Sequence, residues 1–297
     1  MPWTGVFAPV PTPFDGHDRV DPARIRAAFA RWLKTPLTGF VVLGSNGEAA
    51  LLDEDESDLV VATARDLVPR GRPLIVGTGR ESTQAAIRAA RRAGELGADA
   101  VLVRTPGFFK SHMTSDVFVR HYTAVADVSP GPVLLYNFTA VTGVTLQPDA
   151  VARLASHPNI AGMKESGGDI AQIADLVAVS SGQAFSLLAG SATTFYAALG
   201  AGASGGILAL GCVLPDACVR LFDLMAQKRY DEARALQRQL APLARLLGAV
   251  YGVAGLKAAL PLVGIDVGPP RPPLVPVPEG GIEALRQALS TFQEAAA

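Results

Sequence analysis

The sequence predicts an α/β chain folded as a (β/α)8 barrel with a helical C-terminal extension. Three observations carry this. Short apolar runs of strand length alternate with segments of helical period from the start of the chain to Leu208. Eight such runs share that stretch at about 26 residues per unit, which suits eight βα units better than a doubly wound sheet. After Cys212 the strand signals stop and only helical patterns remain. The expected division is a barrel over 1–213 and an extension over 214–297.

The candidate strands are Val6–Val10, Gly39–Leu43, Leu74–Val76, Ala100–Val103, Val133–Tyr136, Ile160–Lys164, Phe185–Ala189 and Ala203–Leu208. Candidate helices lie between them at Pro22–Leu33, Glu54–Leu67, Ser82–Leu96, Ser115–Ala126, Pro148–Ala155, Ile170–Val179 and Thr193–Leu199. Asp21-Pro22, Ser82 and Thr114-Ser115 supply start signals, because a short oxygen-bearing side chain satisfies the free amides of a first helical turn. Gly94-Glu95-Leu96-Gly97-Ala98-Asp99-Ala100 reads as a helix end, a glycine turn and the next strand. In the extension, Leu214–Gln227, Tyr230–Leu247, Val253–Val263 and Gly281–Ala295 read as helices, interrupted by the loop Gly268-Pro269-Pro270-Arg271-Pro272-Pro273.

Composition narrows the function. The 297 residues are 49% hydrophobic and 18% charged, ample for a large core, and the net charge of −1 points to neither nucleic acid nor an anionic membrane. Cys212 and Cys218 are the only cysteines, which fits a reducing compartment better than a disulfide framework. The start lacks the basic and apolar segments of a signal peptide, and no run approaches about 18 uninterrupted apolar residues. The expectation is a cytoplasmic protein without a membrane span. The four histidines His17, His112, His121 and His157 are far apart and lack metal-ligand spacing, so no metal is expected. Gly200-Ala201-Gly202-Ala203-Ser204-Gly205 matches G-x-G-x-x-G, but that dinucleotide signature needs a strand before it and a helix after. Here the order is reversed, so the glycines read as a tight turn.

The chemistry centres on Asn159-Ile160-Ala161-Gly162-Met163-Lys164-Glu165-Ser166-Gly167-Gly168-Asp169. Strand alternation sends Ile160, Gly162 and Lys164 to one face and Ala161 and Met163 to the other. Lys164 then stands at the carboxyl end of its strand, where barrels place their sites. Apolar surroundings favour the free amine of a lysine, and a free amine condenses with a keto group to a Schiff base. The competing reading is a strand-end lysine that snorkels into water. Gly44-Ser45-Asn46-Gly47-Glu48 follows the second strand, and its glycines let the backbone curl into an anion nest that would fit a carboxylate. Tyr136 ends the fifth strand, next to the sixth in a barrel, so its phenol falls within reach of the Lys164 amine as a proton carrier.

Taken together, Gly44-Ser45-Asn46-Gly47-Glu48, Tyr136-Asn137 with Thr142-Gly143, Gly162-Met163-Lys164 and Ala189-Gly190-Ser191-Ala192 resemble, in order and spacing, the dihydrodipicolinate synthase/N-acetylneuraminate lyase family. The likeness runs over nearly the whole chain. It implies a (β/α)8 TIM barrel, a homotetramer, and a Schiff base between a lysine and a 2-oxo acid such as pyruvate, without metal or organic cofactor. It makes Lys164 the Schiff-base lysine and Tyr136 the proton-shuttling phenol, with Ser45 in the relay. The Ser45 and Asn46 amides would hold the substrate carboxylate, and Ser166, Gly190, Ser191 and Ile207 would line the pocket. Two departures stand out. Val141 occupies the position where the synthases carry an arginine for the aldehyde substrate's carboxylate. Phe108-Phe109 replaces a tyrosine pair whose second hydroxyl reaches a neighbouring subunit's site. Both weigh against lysine biosynthesis. The motifs look most like 4-hydroxy-2-oxoglutarate aldolases, which split a 4-hydroxy-2-oxo acid into pyruvate and an aldehyde. The other readings are a dihydrodipicolinate synthase, a 2-keto-3-deoxy sugar-acid aldolase or dehydratase, and a barrel that binds oxo acids without turnover.

Overall fold

The computed structural model describes residues 3–296, with side chains described through Glu294. Eight parallel strands close on themselves in chain order, the first pairing with both the second and the eighth. They are β1 (Gly5–Pro9), β2 (Gly39–Val42), β3 (Leu74–Gly77), β4 (Ala100–Arg104), β5 (Val133–Asn137), β6 (Ile160–Glu165), β7 (Ser186–Ala189) and β8 (Gly205–Ile207). Helices lie between and beyond them: α1 (Pro22–Trp32), α2 (Glu54–Leu67), α3 (Thr83–Glu95), α4 (Ser115–Ala126), α5 (Thr139–Thr142), α6 (Pro148–Leu154), α7 (Ile170–Val179), α8 (Phe195–Gly200), α9 (Pro215–Ala226), α10 (Tyr230–Arg245), α11 (Gly252–Ala259) and α12 (Glu279–Ala296). The expected TIM barrel and its helical tail are what the chain forms.

Parallel barrel strands are covered on both faces, which is why they read as apolar runs rather than alternating ones. One face fills the barrel: Phe7, Val41, Ile75, Leu102, Leu134 and Leu188 pack there. The other meets the helix layer, where Phe29, Trp32, Val60, Phe118 and Ile173 close the outer core. Each such side chain taken from water contributes about 1.5–3 kcal/mol. The expected caps form: Asp21 accepts from the Ala23 and Arg24 amides, Ser82 from Ala85, and Thr114 from Val117. Gly200 ends α8 and Gly205 opens β8, so the glycine-rich segment is a helix-to-strand turn.

Strand β6 departs from the expected alternation. Val133 pairs with Ile160, but Leu134 pairs with Gly162, leaving Ala161 as an extra residue in β6. Such a bulge turns the preceding residue to the opposite face. Ile160 therefore packs in the outer core with Met163, and Ala161 packs against the barrel interior. The face assignment of Ile160 and Ala161 is corrected accordingly, while Lys164 keeps its inward register.

The tail returns to the loops above the barrel's carboxyl end. Phe14, after β1, donates its amide to the Val267 carbonyl at 3.2 Å, and the Arg271 amide donates to Glu48 Oε2 at 2.8 Å. Two tail helices end less regularly than their patterns predict: α10 passes into a π turn at Leu246–Val250, and α11 into a 3-10 turn at Leu260–Val263.

Candidate active site

Register fixes the centre of the site. Tyr136 of β5 sits directly opposite Lys164 of β6, both at the carboxyl end of their strands. Lys164 Nζ lies 4.5 Å from the centroid of the Tyr136 ring, a cation–π approach. Lys164 is only 5% exposed, and among the described residues its amine has no ion-pair partner. The Tyr136 hydroxyl is 3.1 Å from Ser45 Oγ, so a proton can pass between them in either direction. Two residues from neighbouring strand ends thus meet the hydroxyl of Ser45, on the loop after β2. Phe138 stacks on Tyr136 with centroids 6.1 Å apart.

The loop bearing Ser45 is held in an unusual path. Leu43 has φ 55°, in the left-handed region that a leucine enters only under constraint. Room for this comes from Gly77 on β3, where a Cβ would lie 1.8 Å from the Leu43 carbonyl oxygen. The Gly47 and Glu48 amides then close turns on the Gly44 and Ser45 carbonyls, and Thr12 Oγ1 donates to the Gly47 carbonyl at 2.6 Å. Among the described residues, the Ser45 and Asn46 amides donate to no protein group, as an anion nest requires.

The other expected pocket residues fall in two groups. Ser166 and Gly190 touch: the Gly190 amide donates to the Glu165 carbonyl at 2.6 Å, and a Cβ on Gly190 would come within 1.9 Å of Ser166 Oγ. Ser191 pairs with Thr193 Oγ1 at 2.7 Å, and Ile207 is fully buried in the interior cluster that also holds Tyr136. Val141, on α5, is 62% exposed, and its amide donates to the carbonyl of Phe138, whose ring stacks on Tyr136. Phe108 and Phe109 are exposed too and pack edge to face, their ring centroids 5.1 Å apart. Their loop is tied down by Glu81, which accepts from the Gly107 and Phe108 amides and from Arg104.

A buried polar brace went unassigned in the sequence. Asn137 and Glu165, each one residue beyond a site residue, are fully buried and face away from the barrel axis. Asn137 Nδ2 donates to Glu165 Oε2 at 2.7 Å, the Gly167 amide to Glu165 Oε1, and the Leu146 amide to Asn137 Oδ1 at 2.9 Å. Burial pushes the Glu165 carboxyl above its ordinary value, against the pull of these donors. The brace locks β5 to β6 just past the Tyr136–Lys164 pair. A polar residue at the outward position of a strand covered on both faces is the signal that could have revealed it.

Among the described residues, no group of three or more His, Cys, Asp or Glu side chains is arranged to hold a metal ion, and no helix is long and apolar enough to cross a membrane. What the cluster offers is an amine, a phenol and a hydroxyl in line, beside free amides for an anion. That set suits imine chemistry on a small oxo acid.

Comparison with known proteins points the same way. The family profile described as the dihydrodipicolinate synthetase family matches residues 2–292. A 4-hydroxy-tetrahydrodipicolinate synthase of Exiguobacterium sp. is 34% identical over 98% of this chain and 99% of its own length. A probable mitochondrial 4-hydroxy-2-oxoglutarate aldolase of Emericella nidulans is 36% identical over 96% of this chain and 94% of its own. In structure, a dihydrodipicolinate synthase of Acinetobacter baumannii complexed with pyruvate superposes with a TM-score of 0.92 at 29% identity, covering 98% of this chain and 99% of that one.

Proposed function

The chain belongs to the dihydrodipicolinate synthetase family, and within it we propose a class I aldolase that cleaves a 4-hydroxy-2-oxo acid, such as 4-hydroxy-2-oxoglutarate, into pyruvate and an aldehyde. The observation that carries this is the Lys164–Tyr136–Ser45 cluster at one barrel mouth. Lys164 Nζ adds to the keto carbon, and loss of water leaves a protonated imine. Tyr136, linked to Ser45, takes the proton of the C4 hydroxyl. The C3–C4 bond then breaks, its electron pair flowing to the imine nitrogen as an enamine while the aldehyde departs. Protonation at C3 and hydrolysis release pyruvate and restore the lysine. The Ser45 and Asn46 amides hold the carboxylate throughout, and Ser166, Gly190, Ser191 and Ile207 shape the pocket. No metal or organic cofactor enters this scheme.

The synthase reading has support in the name of the Exiguobacterium relative. Val141 argues against it, since an apolar side chain cannot give a carboxylate the charge-assisted contact of an arginine, worth roughly 1.5–3 kcal/mol. The exposed Phe108 and Phe109 rings support burial between copies, and we take the assembly to be a homotetramer, which gel filtration with light scattering tests. Two free, buried cysteines fit a cytoplasmic setting. Borohydride with pyruvate should leave one reduced adduct, on Lys164, and an adduct on Lys110 or Lys257 instead would sink the assignment. A panel of 4-hydroxy-2-oxo acids should show cleavage, with condensation of pyruvate and aspartate semialdehyde weak or absent. Condensation as fast as the best cleavage would show the synthase reading to be right.

A further inference from the structure

The loop that carries Ser45 and Asn46 ends in a charge the aldol scheme does not use. The side chains of Glu48 and of Lys257, on α11, are both buried, with Oε1 and Nζ 2.5 Å apart. The contact is one of charge, and the directed hydrogen bonds go elsewhere. Glu48 Oε2 accepts the Arg271 amide at 2.8 Å, and Lys257 Nζ donates to the Pro269 carbonyl at 2.9 Å. Lys257 Nζ lies 4.1 Å from the Phe14 ring centroid, and the Arg271 guanidinium lies 4.3 Å from it. Arg271 also grips the Leu51 carbonyl and the Glu56 carboxylate, so the tail holds the segment from Glu48 to Glu56 at both ends.

A buried ion pair is a weak source of stability, because desolvating two charges offsets most of their attraction. Its geometry, however, is demanding, and here it fixes a backbone that would otherwise relax. Glu48 has φ 55°, a conformation glutamate keeps only when its surroundings impose it. Its amide closes the turn on the Ser45 carbonyl at 3.1 Å. Where the Glu48 carboxylate is anchored therefore decides where the Ser45 and Asn46 amides point.

We propose that Lys257 is a positioning residue: by holding Glu48 it aims the Ser45 and Asn46 amides at the substrate carboxylate, which makes the helical tail part of the oxo-acid site. This rests on the reading that those amides bind the carboxylate.

The test uses the full chain as parent, Lys257→Met, and the double variant Glu48→Gln/Lys257→Met. The double variant removes both charges and keeps an oxygen for the Arg271 amide, so it remains informative if Lys257→Met leaves Glu48 stranded and the protein unfolds. Three readouts are taken: the pyruvate concentration giving half-maximal borohydride adduct, kcat at saturating substrate, and amide hydrogen exchange of residues 44–50 against the barrel strands. A misplacement of about 1 Å can cost roughly 100-fold, so half-saturation should rise about 10- to 100-fold. The fall in kcat should be smaller, because the carboxylate contact persists through every step. Exchange should quicken at 44–50 while the strands stay protected. A pair that is merely structural would lower the melting temperature and leave half-saturation and local exchange unchanged, and that result in the double variant overturns the proposal. Absence of any pyruvate adduct in the parent would instead overturn the aldolase reading and this proposal with it.

Discussion

Tyr136→Phe is the sharpest single test of the relay. The ring is 3% exposed and packs in the barrel interior, so phenylalanine keeps the packing and removes only the hydroxyl. That hydroxyl has one protein partner among the described residues, Ser45 Oγ at 3.1 Å. Losing it should cost about 0.5–1.5 kcal/mol of stability, too little to unfold the chain. The catalytic cost is larger. A positioned general acid–base group contributes roughly 100- to 10,000-fold, or about 2.7–5.4 kcal/mol of barrier at about 1.36 kcal/mol per tenfold. Steady-state kcat on a 4-hydroxy-2-oxo acid should fall within that range, while prolonged incubation with pyruvate and borohydride should still label Lys164. Because the phenol and the Ser45 hydroxyl share one proton path, the Ser45→Ala/Tyr136→Phe double variant should be no worse than the poorer single variant. If kcat of Tyr136→Phe stays near the parent's, or if the two losses multiply, the relay as drawn is wrong.

Three further outcomes are expected. Gly77→Ala places a Cβ 1.8 Å from the Leu43 carbonyl oxygen; it should cost about 1–3 kcal/mol and weaken pyruvate capture, so an unchanged melting temperature and half-saturation would refute the role given to this contact. Burial pushes the His121 imidazole from 6.5 down to about 4, so unfolding takes up a proton between those values. That contribution is intact above pH 6.5 and is lost as pH falls toward 4, by about 3 kcal/mol in all; His121→Gln should flatten the urea midpoint over this window, and an unchanged slope would count against it. Phe109→Tyr adds a hydroxyl to a ring that is 66% exposed and should raise kcat if a neighbouring subunit brings that loop to the relay. If it changes nothing while His112→Ala abolishes turnover, the proton path runs through the exposed turn Lys110–His112 instead.

The fold was readable because its strands are buried on both faces and so declare themselves as apolar runs. The strand bounds lie close to their expected places, and β8 is shorter than the run Ala203–Leu208 because only Gly205–Ile207 form the strand between β7 and β1. Helix α5 was not legible, since Thr139–Thr142 is a single turn of mostly β-branched residues with no period to detect. The bulge in β6 was not legible either. Alternation assumes one residue per pairing step, and Ala161 breaks that count through its pairing partner, which the local sequence does not contain.

The site divides along the same line. Lys164 and Tyr136 could be placed from strand ends and neighbour order, because a parallel barrel fixes which strands touch; Ser45, on the loop after the non-adjacent β2, entered the relay only through the family resemblance. Glu165 and Lys257 could not be given partners, yet each carried a warning. Glu165 follows Gly162-Met163-Lys164 in a strand with no exposed face, and Lys257 sits within Gly255-Leu256-Lys257-Ala258-Ala259-Leu260. A charge embedded among small and apolar residues must be either paired or neutralised once the chain folds. Sequence thus states that a partner is owed, and only the closed barrel says which: Asn137 for Glu165 across the β5–β6 seam, and Glu48 for Lys257 across the junction of tail and loop. In both cases the partner lies within three residues of a group assigned to the reaction. Both pairs hold backbone beside groups assigned to the reaction, so the double variant Glu48→Gln/Lys257→Met should weaken substrate capture, whereas single changes at Glu48, Asn137, Glu165 or Lys257 strand a buried polar partner and should lower stability as well.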